Sequence, residues 1–254
     1  MDDVAVKIEN LNKKFKVFHE PPLTFQKAVN NLLRGKRSYQ ELLVLKDISL
    51  CLNKGEAAGL VGPNASGKST LLRIIADIYA PTSGSVEVNG RVAAFLELGS
   101  GFRMEFTGIE NIYLSAAVFG LSRRQIMQKM PLVREFSELG GFMDVPLRQY
   151  SFGMRMRLAF ALAMNINPDI LLIDEALAVG DISFKDKCIK KIKKLREEGK
   201  TLLLVSHYMD EISELCDKVI LLEEGRIIDI GPAQKIIAEY REMMKGNNIN
   251  AHRH

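Results

Sequence analysis

The sequence predicts an α/β fold: a parallel sheet covered by helices on both faces, a β-rich lobe, and a middle block of helices. Three stretches carry that prediction. After Pro168 the pattern runs strand, helix, strand, helix, over residues 170–173, 185–198, 201–205 and 209–216. Residues 4–10 alternate apolar and polar side chains, and Ile48, Leu50 and Leu52 repeat that period against Asp47, Ser49 and Cys51. A period of two marks a half-buried strand. Ala57–Val61 is a short apolar run between glycines, with the helix-forming residues 71–76 behind it.

In chain order, the two alternating strands enclose an unusual segment, residues 16–41. It opens with Pro21-Pro22, sets Phe25, Ala28, Val29, Leu32 and Leu33 at helical spacing, and ends in Arg34-Gly35-Lys36-Arg37. That pattern predicts an amphipathic helix and a basic cluster inserted into the β lobe. The helical block is expected over about residues 105–165. Thr107 with Glu110, and Ser122 with Gln125, both have capping-box spacing. Gly140-Gly141 and Pro146 interrupt the block before a helical run at 154–163. Lys218–Glu223 and residues 226–230 read as a hairpin around Glu224-Gly225. Pro232 opens a last helix with Ile236, Ile237, Tyr240, Met243 and Met244 on one face. One unit is expected over residues 1–245, with 246–254 as a frayed tail.

Composition excludes several classes. The chain has 254 residues, with 35 basic against 31 acidic side chains, a net charge of +4. That balance is too mild to point to nucleic acid, and no nucleic-acid partner is expected. No apolar run approaches the roughly 18–20 residues of a spanning helix. The acidic start, Met1-Asp2-Asp3-Val4, has no basic region leading into an apolar core, so no secretory signal is expected. Cys51, Cys188 and Cys216 are dispersed and odd in number, as reduced thiols are, not as in a disulfide scaffold or zinc ribbon. The six lysines at 185–194 read as a solvated helix face.

The strongest motif is Gly62-Pro63-Asn64-Ala65-Ser66-Gly67-Lys68-Ser69-Thr70, which matches G-x4-G-K-[ST] between a strand and a helix. Its glycines let successive N–H groups converge on one point, and the helix N-terminus adds positive potential there. Lys68 is expected to reach the β- and γ-phosphates and Ser69 to hold Mg²⁺. Further on, Ile170-Leu171-Leu172-Ile173-Asp174-Glu175 is a buried strand ending in two carboxylates. Asp174 is the expected second Mg²⁺ ligand. Glu175 is the expected group to orient and polarise an attacking water.

Two further elements narrow the class. Tyr150-Ser151-Phe152-Gly153-Met154 opens a helix shortly before the Asp174 strand, and Ser206-His207 follows the next strand. Together with the loop at 62–70, these make the chain resemble the nucleotide-binding subunits of ABC transporters, from Val4 to about Tyr240. The resemblance implies a P-loop NTPase with a RecA-like parallel core, an antiparallel β lobe and an inserted helical subdomain. It implies ATP and Mg²⁺ as ligands and hydrolysis by Glu175, with His207 contacting the γ-phosphate and Lys68 completing the catalytic set. Ser151 and the Gly153 N–H would contact nucleotide held by a second copy in a two-fold dimer. Asp181, ending Ala178-Val179-Gly180-Asp181, sits where the family has its D-loop. Phe15, with Phe18 as rival, would stack on adenine. Glu97 stands where a glutamine is usual and could still bind Mg²⁺.

Departures from the family pattern point to one branch. Ala65 replaces a usual glycine and is expected to avoid positive φ. Phe152 and Met154 replace the common glycine or serine and glutamine. With residues 96–102, 107–114, 174–181 and the insertion at 16–41, the chain is similar to ATPases that export O-antigen, teichoic acid and related lipid-linked glycans. That likeness implies work at the cytoplasmic face of the cell membrane, through an integral-membrane permease that supplies the path, with the glycan as indirect cargo. The insertion would then lie near headgroups or permease, or pack on its own lobe. The rival readings are an ABC-type ATPase acting on nucleic acid or ribosomes, and one serving a different transported substrate.

Overall fold

The computed structural model describes residues 3–18, 39–96, 101–175 and 181–251; the side chains of Phe18 and of residues 245–251 lie outside that description. The chain opens with β1 (Val4–Phe18) and β2 (Tyr39–Asn53), paired antiparallel as a long ribbon. β3 (Ala57–Val61) leads through the glycine-rich loop into α1 (Lys68–Ile75). β4 (Ser83–Val88) then returns to β1, making a three-stranded sheet of order β2-β1-β4. After β5 (Val92–Phe95) comes the helical block. It holds α2 (Gly108–Val118), α3 (Arg123–Ser137), two 3₁₀ turns, and α4 (Phe152–Asn165). The chain continues as β6 (Ile170–Asp174), α5 (Ile182–Glu197), β7 (Thr201–Val205), α6 (Met209–Leu215), β8 (Lys218–Glu223), β9 (Arg226–Pro232) and α7 (Ala233–Ala251).

The larger sheet has order β5-β6-β7-β3-β8-β9, parallel except for the β8–β9 hairpin. Its strands are apolar throughout because both faces are covered. The alternation sorts them into two cores. Leu171, Ile173, Leu202, Leu204, Val219 and Leu221 face the helices. Ile170, Leu172, Leu203, Val205, Ile220 and Leu222 face α1 and the small sheet. Both capping boxes read from the sequence form: Thr107 and Ser122 accept from the N3 amides, while Glu110 and Gln125 reach back. The Glu224-Gly225 turn has φ of 46° and 78°, as a two-residue hairpin loop requires.

One expectation is revised. The segment at 16–41 is strand at both ends, since Lys16 faces Glu41, Val17 faces Gln40 and Phe18 faces Tyr39. The period-two alternation of Lys14, Phe15, Lys16 and Val17 carries β1 onward to Phe18. The expected helix and basic cluster between them lie outside the described residues. β4 and β5 have no strong local signal, because one begins around Gly84 and the other has four residues. The last helix runs through Ala251. No proline follows Pro232, and one glycine costs a helix only about 1 kcal/mol.

Candidate functional site

The loop at 62–70 is wedged between the two sheets. Gly62 has φ 152°, and a Cβ there would lie 1.9 Å from the Leu222 carbonyl oxygen. No other residue fits. The Gly225 N–H donates to the Ser66 carbonyl at 3.1 Å, and the Lys46 N–H donates to the Gly225 carbonyl at 2.8 Å. The hairpin turn thus ties the loop to β2. Lys68 is the first residue of α1 and is buried, its Nζ donating to the Gly62 and Pro63 carbonyls, both at 2.8 Å. Burial pushes its ammonium below the usual lysine range, while the charges of Glu175 and Asp174 pull the other way.

Ala65 is a correction: its φ is 62°, in the left-handed region it was expected to avoid. The Ser66 N–H turns back to the Pro63 carbonyl at 3.3 Å, and that turn imposes positive φ on the exposed residue before Ser66. The strain for an L-residue is about 1 kcal/mol.

Asp174 and Glu175 stand at the carboxyl end of β6, and Asp174 pairs with Val205 at the end of β7. His207 follows β7, so the parallel register sets it beside Glu175. Its Nε2 lies 2.7 Å from Glu175 Oε1. Glu175 has φ 52°, held by its N–H donating to the Val205 carbonyl at 2.9 Å. Asp174 Oδ1 and Ser66 Oγ are buried with no hydrogen-bond partner. An unpaired carboxylate oxygen beside a buried lysine and an N–H-lined loop fits a cation and phosphate oxygens.

Other expected residues lie elsewhere or are engaged differently. Ser151 caps α4, its Oγ accepting from the Met154 N–H at 3.2 Å. A Cβ placed on Gly153 would meet only Ser151 Oγ, at 3.8 Å, and Phe152 is two-thirds exposed. The Asp181 carboxylate caps α5 through the Phe184 N–H and pairs with Arg157 Nη2 at 2.5 Å. The backbone hydrogen bond from Phe184 first, and then Arg157, lower its pKa. Its oxygens are thus used within the chain. Phe15 is half-buried, edge-on to Tyr79 at 5.5 Å between centroids, with Lys13 Nζ 4.8 Å from its centroid. Glu97 and residues 176–180 lie outside the described residues.

Tyr79, Lys13 and Arg157 carry no signal in the sequence. None belongs to a local pattern; each meets its partner only through tertiary packing. Arg157 on α4 also pairs with Glu138, which pairs with Lys187 on α5, so the helical block is pinned to the sheet's helix layer.

A buried lysine at a glycine-rich loop, within electrostatic reach of two strand-end carboxylates of which one meets a histidine, is an arrangement able to hold phosphate and a cation. A family model described as ABC transporter matches residues 45–178. The O-antigen export system ATP-binding protein RfbB of Klebsiella pneumoniae is 45% identical over 246 residues, 94% of this chain and 98% of the relative. The teichoic acids export ATP-binding protein TagH of Staphylococcus haemolyticus is 38% identical over 95% of this chain and 90% of its own. The chain belongs to the ABC transporter family, as one of its ATP-binding cassettes. In fold it is similar to a cassette solved as a dimer in a post-hydrolysis state with ADP and Pi, at TM-score 0.72 and 24% identity, over 90% of this chain and 98% of that one.

Proposed function

We propose that this chain hydrolyses ATP to drive export of a lipid-linked polysaccharide, O-antigen, teichoic acid or similar, across the cytoplasmic membrane. The contact between Glu175 Oε1 and His207 Nε2, at 2.7 Å, carries the catalytic half of that reading. The identity to RfbB across nearly the whole of both chains supports the cargo class.

The residues divide the work. The N–H groups of residues 62–70 and Lys68 bind phosphate oxygens, and Phe15 offers a ring for adenine. Ser69 and Asp174 would hold Mg²⁺, with Glu97 as a further candidate. A bound Mg²⁺–nucleotide supplies a polarised γ-phosphoryl group. Glu175 Oε2 or Oε1 accepts a proton from water, and His207 fixes that carboxylate while facing the phosphate end of the site. Ser151 and the Gly153 N–H, exposed at the start of α4, complete the site of a second copy. Asp181, which caps α5, adds to the nucleotide site from the start of that helix.

Among the described residues no helix is long and apolar enough to cross a membrane. The membrane path then comes from a permease subunit, with this chain at its cytoplasmic face. Glu175→Gln tests the chemistry: ATP binding persists, turnover falls about a thousandfold, and a dimer accumulates with ATP and Mg²⁺ on gel filtration. A monomer under those conditions overturns the two-copy site. Deleting the chain should remove one surface glycan, and affinity capture should bring down a polytopic membrane protein. Salt-sensitive retention on ribosomes or DNA without such a partner overturns the export reading.

A further inference from the structure

We propose that Glu211 is a positioning residue for His207, acting through the Ser206 hydroxyl and anchored by Lys185. The inference rests on the roles given above to Glu175 and His207.

His207 is half exposed, so packing does not orient it. Its orientation comes from the turn that carries it. Ser206 is buried, and its Oγ accepts from the Tyr208 N–H at 3.0 Å while donating to Glu211 Oε2 at 2.6 Å. A hydroxyl has one proton, so donating it to Glu211 fixes the rotor and aims a lone pair at Tyr208. The bonded turn spans His207 and sets the peptide planes on both sides of it. Glu211 Oε1 then pairs with Lys185 Nζ at 2.5 Å, and the Tyr208 ring lies 4.8 Å from the same ammonium. The hydrogen bond to Glu211 holds the Lys185 ammonium above its ordinary range.

Simple helix capping does not explain this set. The N-cap of α6 is Tyr208, whose side chain makes no cap bond, and Asp210 already supplies a fully exposed acid in the first turn. A second acid there, 7% exposed and paired, adds nothing to the helix dipole that Asp210 lacks. What it adds is a connection. Lys185 lies one turn into α5, whose start follows the loop after Glu175, so the His207 turn is fixed relative to the element that follows its partner. Each link uses a different kind of group: ammonium, carboxylate, hydroxyl, amide. A chain of this sort is rigid only when every link is present.

Purified full-length protein tests this. Ser206→Ala should lower kcat for ATP hydrolysis about tenfold to a hundredfold, with KM for ATP unchanged and the melting temperature close to that of the parent. Ser206→Thr, which keeps the hydroxyl, should restore most of the rate. In a His207→Ala background, Ser206→Ala should change kcat less than about twofold, because the group it orients is gone. Fully multiplicative losses, or an inactive threonine variant with intact folding, overturn the proposal. If Ser206→Ala does not fold, Lys185→Met at the half-buried far end of the series carries the test, and an unchanged kcat there overturns it. Full turnover by His207→Ala alone instead brings down the underlying reading, and this one with it.

Discussion

Gly62 follows β3 and Gly153 lies in the first turn of α4, and the proposed function gives both stretches phosphate contacts, yet the molecule treats them oppositely. Around Gly62 everything is filled: the Leu222 carbonyl lies where a Cβ would go, and the hairpin turn at Gly225 bonds to the same loop. Around Gly153, among the described residues, a Cβ would meet only Ser151 Oγ, at 3.8 Å, and Phe152 beside it is exposed. One glycine is fixed by contacts within the fold. The other, among the described residues, meets only Ser151 Oγ, and the function proposed above gives it to a second copy.

The largest test of that contrast is Gly62→Ala. It should lose about 3 kcal/mol or more of stability in urea unfolding, through left-handed strain plus a clash with backbone. A fully stable variant would show that the loop can retreat from β8 and is not wedged. Gly153→Ala should do the reverse. The helix start gains roughly 0.5 kcal/mol, while ATP-driven dimerisation and turnover fall, read by sedimentation and phosphate release. Wild-type turnover in that variant would break the comparison. The smallest effect is expected from Ala65→Gly. It relieves about 1 kcal/mol of left-handed strain and returns part of that as unfolded-chain entropy. The net gain of roughly 0.3 kcal/mol should appear as a slightly higher melting temperature.

The fold was largely legible wherever the pattern was local. The period-two strands, the two capping boxes and the Glu224-Gly225 hairpin all depend on neighbours within a few residues, and all are found. The long continuation of β1 and β2 and the short strands β4 and β5 were not legible, because their partners lie far along the chain. The same division runs through the site. Lys68, Asp174, Glu175 and His207 could be named from motifs, since each sits in a short run with a chemical reason. Tyr79 against Phe15, Arg157 on Asp181, and Glu211 behind Ser206 could not. No spacing announces a contact between distant segments, or a hydroxyl that faces inward.

By itself, then, the sequence determined the class of chemistry: a glycine-bound phosphate loop, a strand ending in two acids, and a histidine after the next strand. Tertiary structure decided how those groups meet. Parallel pairing of β6 with β7 brings Asp174 level with Val205 and so sets His207 against Glu175. Close approach of the glycine loop to Leu222 on β8 forces the backbone at Gly62. Residue identity fixes what a group can do, whereas distance and backbone strain are properties of elements held together from far apart in the chain.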